Sequence, residues 1–123
     1  MEKPIFLTSI SFAPSLLIRR DLFLYMAYEI EFTSLSLEDL KVLRVVDRSK
    51  VIDAIKTHLR YEPQKESKSR IKRLRELDRP QYRLRVDDIR IFYDVVDNVV
   101  EIIAIIPKAE ATEWLLREGQ IRD

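Results

Sequence analysis

The run Tyr82-Arg83-Leu84-Arg85-Val86-Asp87-Asp88-Ile89-Arg90-Ile91-Phe92-Tyr93 restricts this chain more than any other segment. Apolar and cationic residues alternate on both sides of two adjacent aspartates, which predicts two antiparallel strands joined at Asp87-Asp88. Closing the turn there pairs Val86 with Ile89, Leu84 with Ile91 and Tyr82 with Tyr93. The same register puts Arg85 directly across from Arg90, with Arg83 one step along the same face. Like charges directly opposite in an antiparallel pair are destabilising. A cluster of this kind suits an anionic ligand, and guanidinium forks match phosphate oxygens in pairs. The competing expectation is internal neutralisation by Asp94, Glu101 or the acidic last helix.

At 123 residues the chain is one domain, large enough for a core without covalent staples. It has no cysteine and one histidine, His58, so neither a thiolate nor a His-rich metal site is expected, and no cofactor. Ordinary apolar content with high charge reads as a soluble, cytoplasmic protein. The net charge of +1 hides an uneven distribution. Residues 65–90 hold ten basic and five acidic side chains, whereas residues from 91 onward hold three basic and seven acidic ones. Such a local cluster, not the total charge, sets the field that a polyanion feels.

Residues 1–25 lack sustained periodicity and are read as an N-terminal extension, either a mis-assigned start ahead of Met26 or a disordered arm or extra helix. Residues 26–119 form the domain, and 120–123 a tail. Tyr28, Ile30 and Phe32 alternate with Glu29, Glu31 and Thr33 in a first strand. Ser36, with Asp39 three residues on, reads as a capping box for a helix striped by Leu37, Leu40, Leu43 and Val46. Ser49 caps a second helix with Val51, Ile52, Ile55 and Leu59 on one side. The short link between them predicts an antiparallel helical hairpin. The basic stretch from Gln64 to Arg79 reads as a partly helical connection anchored by Ile71, Leu74 and Leu77. After the arginine hairpin, a turn at Asp97-Asn98 leads into the apolar run from Val99 to Ile106, suited to a strand covered on both faces. Pro107 ends it, and a last helix from Ala109 to Glu118 stops at Gly119, the only glycine.

The expected fold is therefore α+β, in the order βααβββα: a small antiparallel sheet with an N-terminal strand, the helical hairpin on one face and a C-terminal helix. Leu84, Ile91, Ile102 and Ala104 should face the hairpin. Arg83, Arg85, Arg90, Phe92, Ile103 and Ile105 should take the other face, partly covered by Trp114 or Leu115. Tyr82 and Tyr93 then fall in the core.

The MAYEIEF opening, the two short helices and above all YRLRVDDIRIFYDV followed by an apolar strand resemble the RelE/ParE superfamily of type II toxins, on the RelE side. The likeness spans about Met26 to Glu118. It implies a toxin neutralised by a cognate antitoxin, one that enters the ribosomal A site and cuts mRNA without metal by attack of the ribose 2′-OH on its own 3′ phosphate. That chemistry needs a base, cations for the phosphate charge and an acid for the leaving 5′ oxygen. The family's basic strand positions match Arg83, Arg85 and Arg90, the implied catalytic residues. Lys68, Lys72, Arg73, Arg75 and Lys108 are the implied RNA-binding set. The match departs at two places: the family's arginine after the last strand is Ala109, and its tyrosine on the final helix is Leu115. Lys108, Tyr93 or a basic residue between Lys65 and Arg75 is the available substitute. The alternatives implied are a relative that binds RNA or ribosome without cutting, and a ParE-like inhibitor of DNA gyrase.

Overall fold

A computed structural model describes residues 27–122. The extension expected over residues 1–25 lies outside them. The chain runs β1 (Glu29–Phe32), α1 (Ser34–Lys41), α2 (Val45–Leu59), β2 (Ile71–Arg73), β3 (Leu77–Arg79), β4 (Tyr82–Val86), β5 (Ile89–Val96), β6 (Val99–Pro107), α3 (Lys108–Glu118) and β7 (Gln120–Ile121). Five strands form one mixed sheet in the order β1-β6-β5-β4-β2, and β3 pairs with β7 in a separate ribbon. The α+β class and the order of the expected elements hold. The sheet is mixed where an antiparallel one was expected, because β1 joins parallel to β6, and three strands are additional: β2, which extends the sheet beyond β4, and the β3–β7 ribbon.

The arginine hairpin has the predicted register, with Val86 across from Ile89, Leu84 from Ile91, Arg85 from Arg90 and Tyr82 from Tyr93. Asp87 turns it with φ 50° and Asp97 turns the next hairpin with φ 55°, a left-handed conformation that a short polar side chain tolerates. The basic connection is not helical. Ile71 buries its side chain against the core and its strand pairs with the open edge of β4, while Leu77–Arg79 pairs with the segment after α3. Backbone groups along the β4 edge find partners this way, which a helix there would leave unmet.

Thr33, not Ser36, caps α1: its Oγ1 accepts from the Ser36 N–H at 3.1 Å. Ser36 is buried inside the helix and donates its hydroxyl to the Thr33 carbonyl at 3.0 Å. Helix α2 begins at Val45, four residues ahead of the expected Ser49 cap. Val51, Ile55 and Leu59 carry α2 onto the core, joined by Leu40 and Leu43, whereas Leu37 and Val46 face solvent.

The two sheet faces differ from expectation at one rung. Between β5 and β6 the register slips, so that Phe92 pairs with Ala104 and Tyr93 with Ile102. Ile103 is the extra residue of this bulge, and a bulge of one residue reverses the alternation beyond it. Ile105 therefore joins the core under the helices, and Ala104 joins Phe92 and Ile106 on the other face. Past the end of β1, the Ile105 N–H is met by Asp39 Oδ2 at 3.0 Å. Helix α3 covers the Phe92 face: Trp114 stacks on Phe92 with centroids 5.0 Å apart, and Leu115 packs beside it. Gly119 does cap α3, its N–H donating to the Leu115 carbonyl at 2.8 Å. Its φ of −69° is open to any residue. Glycine is required instead by space, since a Cβ there would come within 2.5 Å of the Leu115 carbonyl oxygen.

Candidate nucleic-acid interface

Arg83, Arg85 and Arg90 share the face of β4 and β5 opposite the core, because strand side chains alternate and their register makes them neighbours. Arg85 is exposed, Arg83 half-buried, and Arg90 only 7% exposed. Nη1 of Arg90 donates to the carbonyls of Asp87 at 2.8 Å and Ile89 at 3.1 Å, so the turn itself fixes that guanidinium. The Nε of Arg83 is buried with no hydrogen-bond partner. Burial, and then the charges of Arg90 and Arg85, hold Arg83 below the ordinary arginine range. Arg90 is lowered by burial and by Arg85, with Asp88 opposing. These three groups crowd one another electrostatically.

Internal neutralisation is not what the fold provides. Among the described residues, none of the three pairs with a carboxylate. Two of the acids expected to compete for them, Asp94 and Glu101, belong to Arg79, whose Nη1 lies 2.8 Å from the first and 3.0 Å from the second, and Glu118 of the last helix lies 3.2 Å from Arg117. Asp94 also accepts from the Gln81 N–H at 2.7 Å. Its carboxyl is nonetheless pushed up, because burial outweighs the Gln81 and Arg79 contacts.

The expected RNA-binding residues divide. Lys72 is exposed and stands directly across from Arg83 in the β2–β4 ladder. Lys108 is exposed at the first residue of α3, and its backbone N–H donates to the Asp88 carbonyl at 2.6 Å, which ties it to the hairpin turn. Lys68 is exposed in the loop before β2. Arg73 and Arg75 are engaged elsewhere. The Arg73 guanidinium lies 5.1 Å from the Tyr82 ring and donates to the Gln81 carbonyl at 2.8 Å, and Arg75 forms a two-point pair with Glu66. Arg70, absent from the expected set, stands across from Arg85: the Arg85 N–H donates to its carbonyl at 3.0 Å, one rung beyond the Ile71–Leu84 pair. Reading Ile71 as a strand residue would have disclosed it.

Proton-transfer groups are scarce on this face. Tyr93 is buried under the helices, stacks on Tyr82 and donates its hydroxyl to the Pro63 carbonyl at 2.6 Å. Burial pushes its phenol far above the ordinary value. It is therefore no substitute for the tyrosine replaced by Leu115. His58 lies on α2, held below its usual value by burial and by Arg70. No grouping of His, Cys, Asp and Glu among the described residues is placed to hold a metal ion. Among them, too, no helix is long and apolar enough to cross a membrane.

No protein-family model and no curated protein matches the sequence. Solved structures do match by fold. A chain of the toxin–antitoxin complex RelBE2 from Mycobacterium tuberculosis aligns with a TM-score of 0.57 and 23% identity, over 66% of this chain and 98% of that one. A chain of the archaeal RelE–RelB complex from Pyrococcus horikoshii aligns with a TM-score of 0.56 and 25% identity, over 68% of this chain and 97% of that one. The chain has the RelE-like fold, and the resemblance carried by the arginine hairpin holds at that level.

Proposed function

We propose that this protein is the toxin of a type II toxin–antitoxin system, a cytoplasmic RelE-like translation inhibitor that cuts mRNA in the ribosomal A site. The observation that carries the reading is the unpaired state of Arg83, Arg85 and Arg90 on one face, beside an Arg79 that takes the nearby carboxylates. Guanidiniums with no carboxylate partner on a sheet are suited to the charge that builds on phosphate as a 2′-OH attacks it. In that step the 2′ oxygen bonds to phosphorus, the bond to the 5′ oxygen breaks, the 2′ proton leaves and the 5′ oxygen gains one. Arginine stays protonated and serves the charge, not the base. Lys108 is the group this chain retains near the hairpin turn for proton traffic.

A second reading has its own support. Leu115 is packed against Phe92 and Tyr93 is sealed beneath the helices, so a toxin that occupies the ribosome without cutting fits the same face. Both readings include a cognate antitoxin as partner.

Expression in a bacterial host, followed by primer extension on ribosome-bound mRNA, tests the proposal. Growth arrest with codon-periodic cuts is expected, and both should vanish in Arg85→Ala and Arg90→Ala variants. Arrest without cuts, together with normal gyrase supercoiling at excess protein, assigns the binding-only reading. Arrest unchanged in the double variant refutes the role of the face.

A further inference from the structure

A groove of about 760 Å³ opens where the first turn of α2 faces the tip of the β4–β5 hairpin. Its cations are Arg44, Lys50, Arg70 and Arg85, and its acids Asp47, Asp87 and Asp88. Two of the acids are answered in place: Arg44 Nε lies 3.1 Å from Asp47, and Lys50 Nζ 3.1 Å from Asp87. Arg70 and Arg85 have no carboxylate partner among the described residues. Asp88 is the remaining acid, and its charge bears on Arg90.

The β2–β4 ladder connects this groove to the arginine face. Lys72 stands across from Arg83, Ile71 from Leu84, and Arg70 from Arg85, which in turn stands across from Arg90. Arg70, in the bend one residue ahead of β2, thus continues the backbone row of Arg85 on β4 and Arg90 on β5, about 10 Å long at the usual strand spacing, and its charge reaches His58 on α2. Arg85 belongs to both the row and the groove wall, so a polyanion lying along the row is led round the hairpin edge toward α2.

We infer that Arg70 and this groove bind backbone phosphate of the RNA segment flanking the one held by Arg83, Arg85 and Arg90. The inference rests on the RNA reading of that face. An acidic protein segment fits less well, because Val86 and Ile89 are the only apolar side chains in the lining, and protein partners depend on apolar and aromatic anchors. Paired guanidiniums are matched to phosphate.

Fluorescence anisotropy with two single-stranded RNAs, a trinucleotide and a longer oligomer, tests it. Arg70→Ala is expected to weaken the longer RNA about tenfold, the loss of one charge-assisted contact, and to leave the trinucleotide unchanged. It should also flatten the salt dependence for the longer RNA by about 0.7 in the log–log slope. Arg85→Ala should weaken both RNAs, and Lys56→Ala, exposed in the last turn of α2 and outside the groove lining, neither. The Arg70 side chain is exposed and only its carbonyl serves the sheet, so an unchanged melting temperature is expected alongside. If Arg85→Ala weakens binding and Arg70→Ala does not, the groove is excluded while the face stands. If the wild-type chain binds neither RNA, both fail. If Arg70→Ala weakens a polyglutamate probe and not RNA, the groove belongs to an acidic protein and the inference is overturned.

Discussion

Arg83→Met should make the protein more stable and less active at once. Arg83 is half-buried, its Nε has no partner, and it stands across from Lys72 on the same face as Arg85 and Arg90. Replacing a like-charge cross-strand neighbour relieves about 0.2–1 kcal/mol. Removing a buried donor with no acceptor relieves about 1–3 kcal/mol when burial is complete. With Arg83 only half-buried, the lower half of each range applies, and the net gain is about 1 kcal/mol. Methionine keeps the unbranched stem, so the site is refilled without a void. For a domain of this size, 1 kcal/mol corresponds to a rise of about 4–8 °C in Tm. Urea denaturation at pH 7 measures it as a higher midpoint at unchanged slope. The wild-type chain should also gain stability with added salt, which screens the crowded guanidiniums, and the variant should lose part of that response. A variant equal to or weaker than wild type, with the same salt response, would refute the claim that this face is held under charge repulsion.

Other perturbations separate structural charges from functional ones. Arg79→Ala leaves Asp94, 4% exposed, directly across from Glu101 without a cation; because Arg79 is itself part-exposed, the loss is set at about 2 kcal/mol at pH 7. That loss should shrink as pH falls, since burial already favours the protonated Asp94 carboxyl, and urea midpoints at two pH values check it. His58 is depressed in the folded state, so the unfolded chain binds its proton more readily. Stability should be level above the ordinary histidine range and fall as pH drops through it toward the lowered value, a fall that His58→Gln removes in a pH series of thermal melts. In an Arg70→Ala variant the His58 titration followed by NMR should move upward. Gly119→Ala should loosen α3 by driving a Cβ against the Leu115 carbonyl, seen as faster amide exchange in that helix.

The hairpin was legible because three local signals agree: alternation, a two-aspartate turn and matched apolar pairs. A helical spacing of four residues likewise exposed Val51, Ile55 and Leu59 on α2. The cap of α1 was misplaced because Thr33, Ser34 and Ser36 are all capping residues, and only the Thr33 geometry distinguishes them. The stretch from Gln64 to Arg79 concealed two strands of three residues each, too short for a period to register against a background of charge. Their formation depends on what lies opposite, the β4 edge for one and the segment after Gly119 for the other. The Ile103 bulge was equally hidden. In an unbroken apolar run nothing local marks which residue is extra, and the choice follows from fitting Ala104 beneath α3 and Ile105 beneath the helical pair. Arg70 was missed for the first of these reasons, since its place follows from the register of β2.

The free arginines depend on what separates them from the acids. Arg90, Phe92 and Asp94 alternate along β5, so all three point to the face that α3 covers. Phe92, fully buried under Trp114, stands between the guanidinium cluster and the carboxylate pair of Asp94 and Glu101. A charged group crossing that rung would have to shed water against two stacked rings, at a cost that a partly exposed ion pair does not recover. Arg90 is further withheld by its hold on the Asp87 and Ile89 carbonyls at the opposite end of the strand. The Phe92–Trp114 stack therefore acts as a partition: on one side Arg79 neutralises the acids and secures the sheet, and on the other three cations remain without counterions. Its packing value and its effect on the face are inseparable, since the side chains that anchor α3 also keep the arginines available.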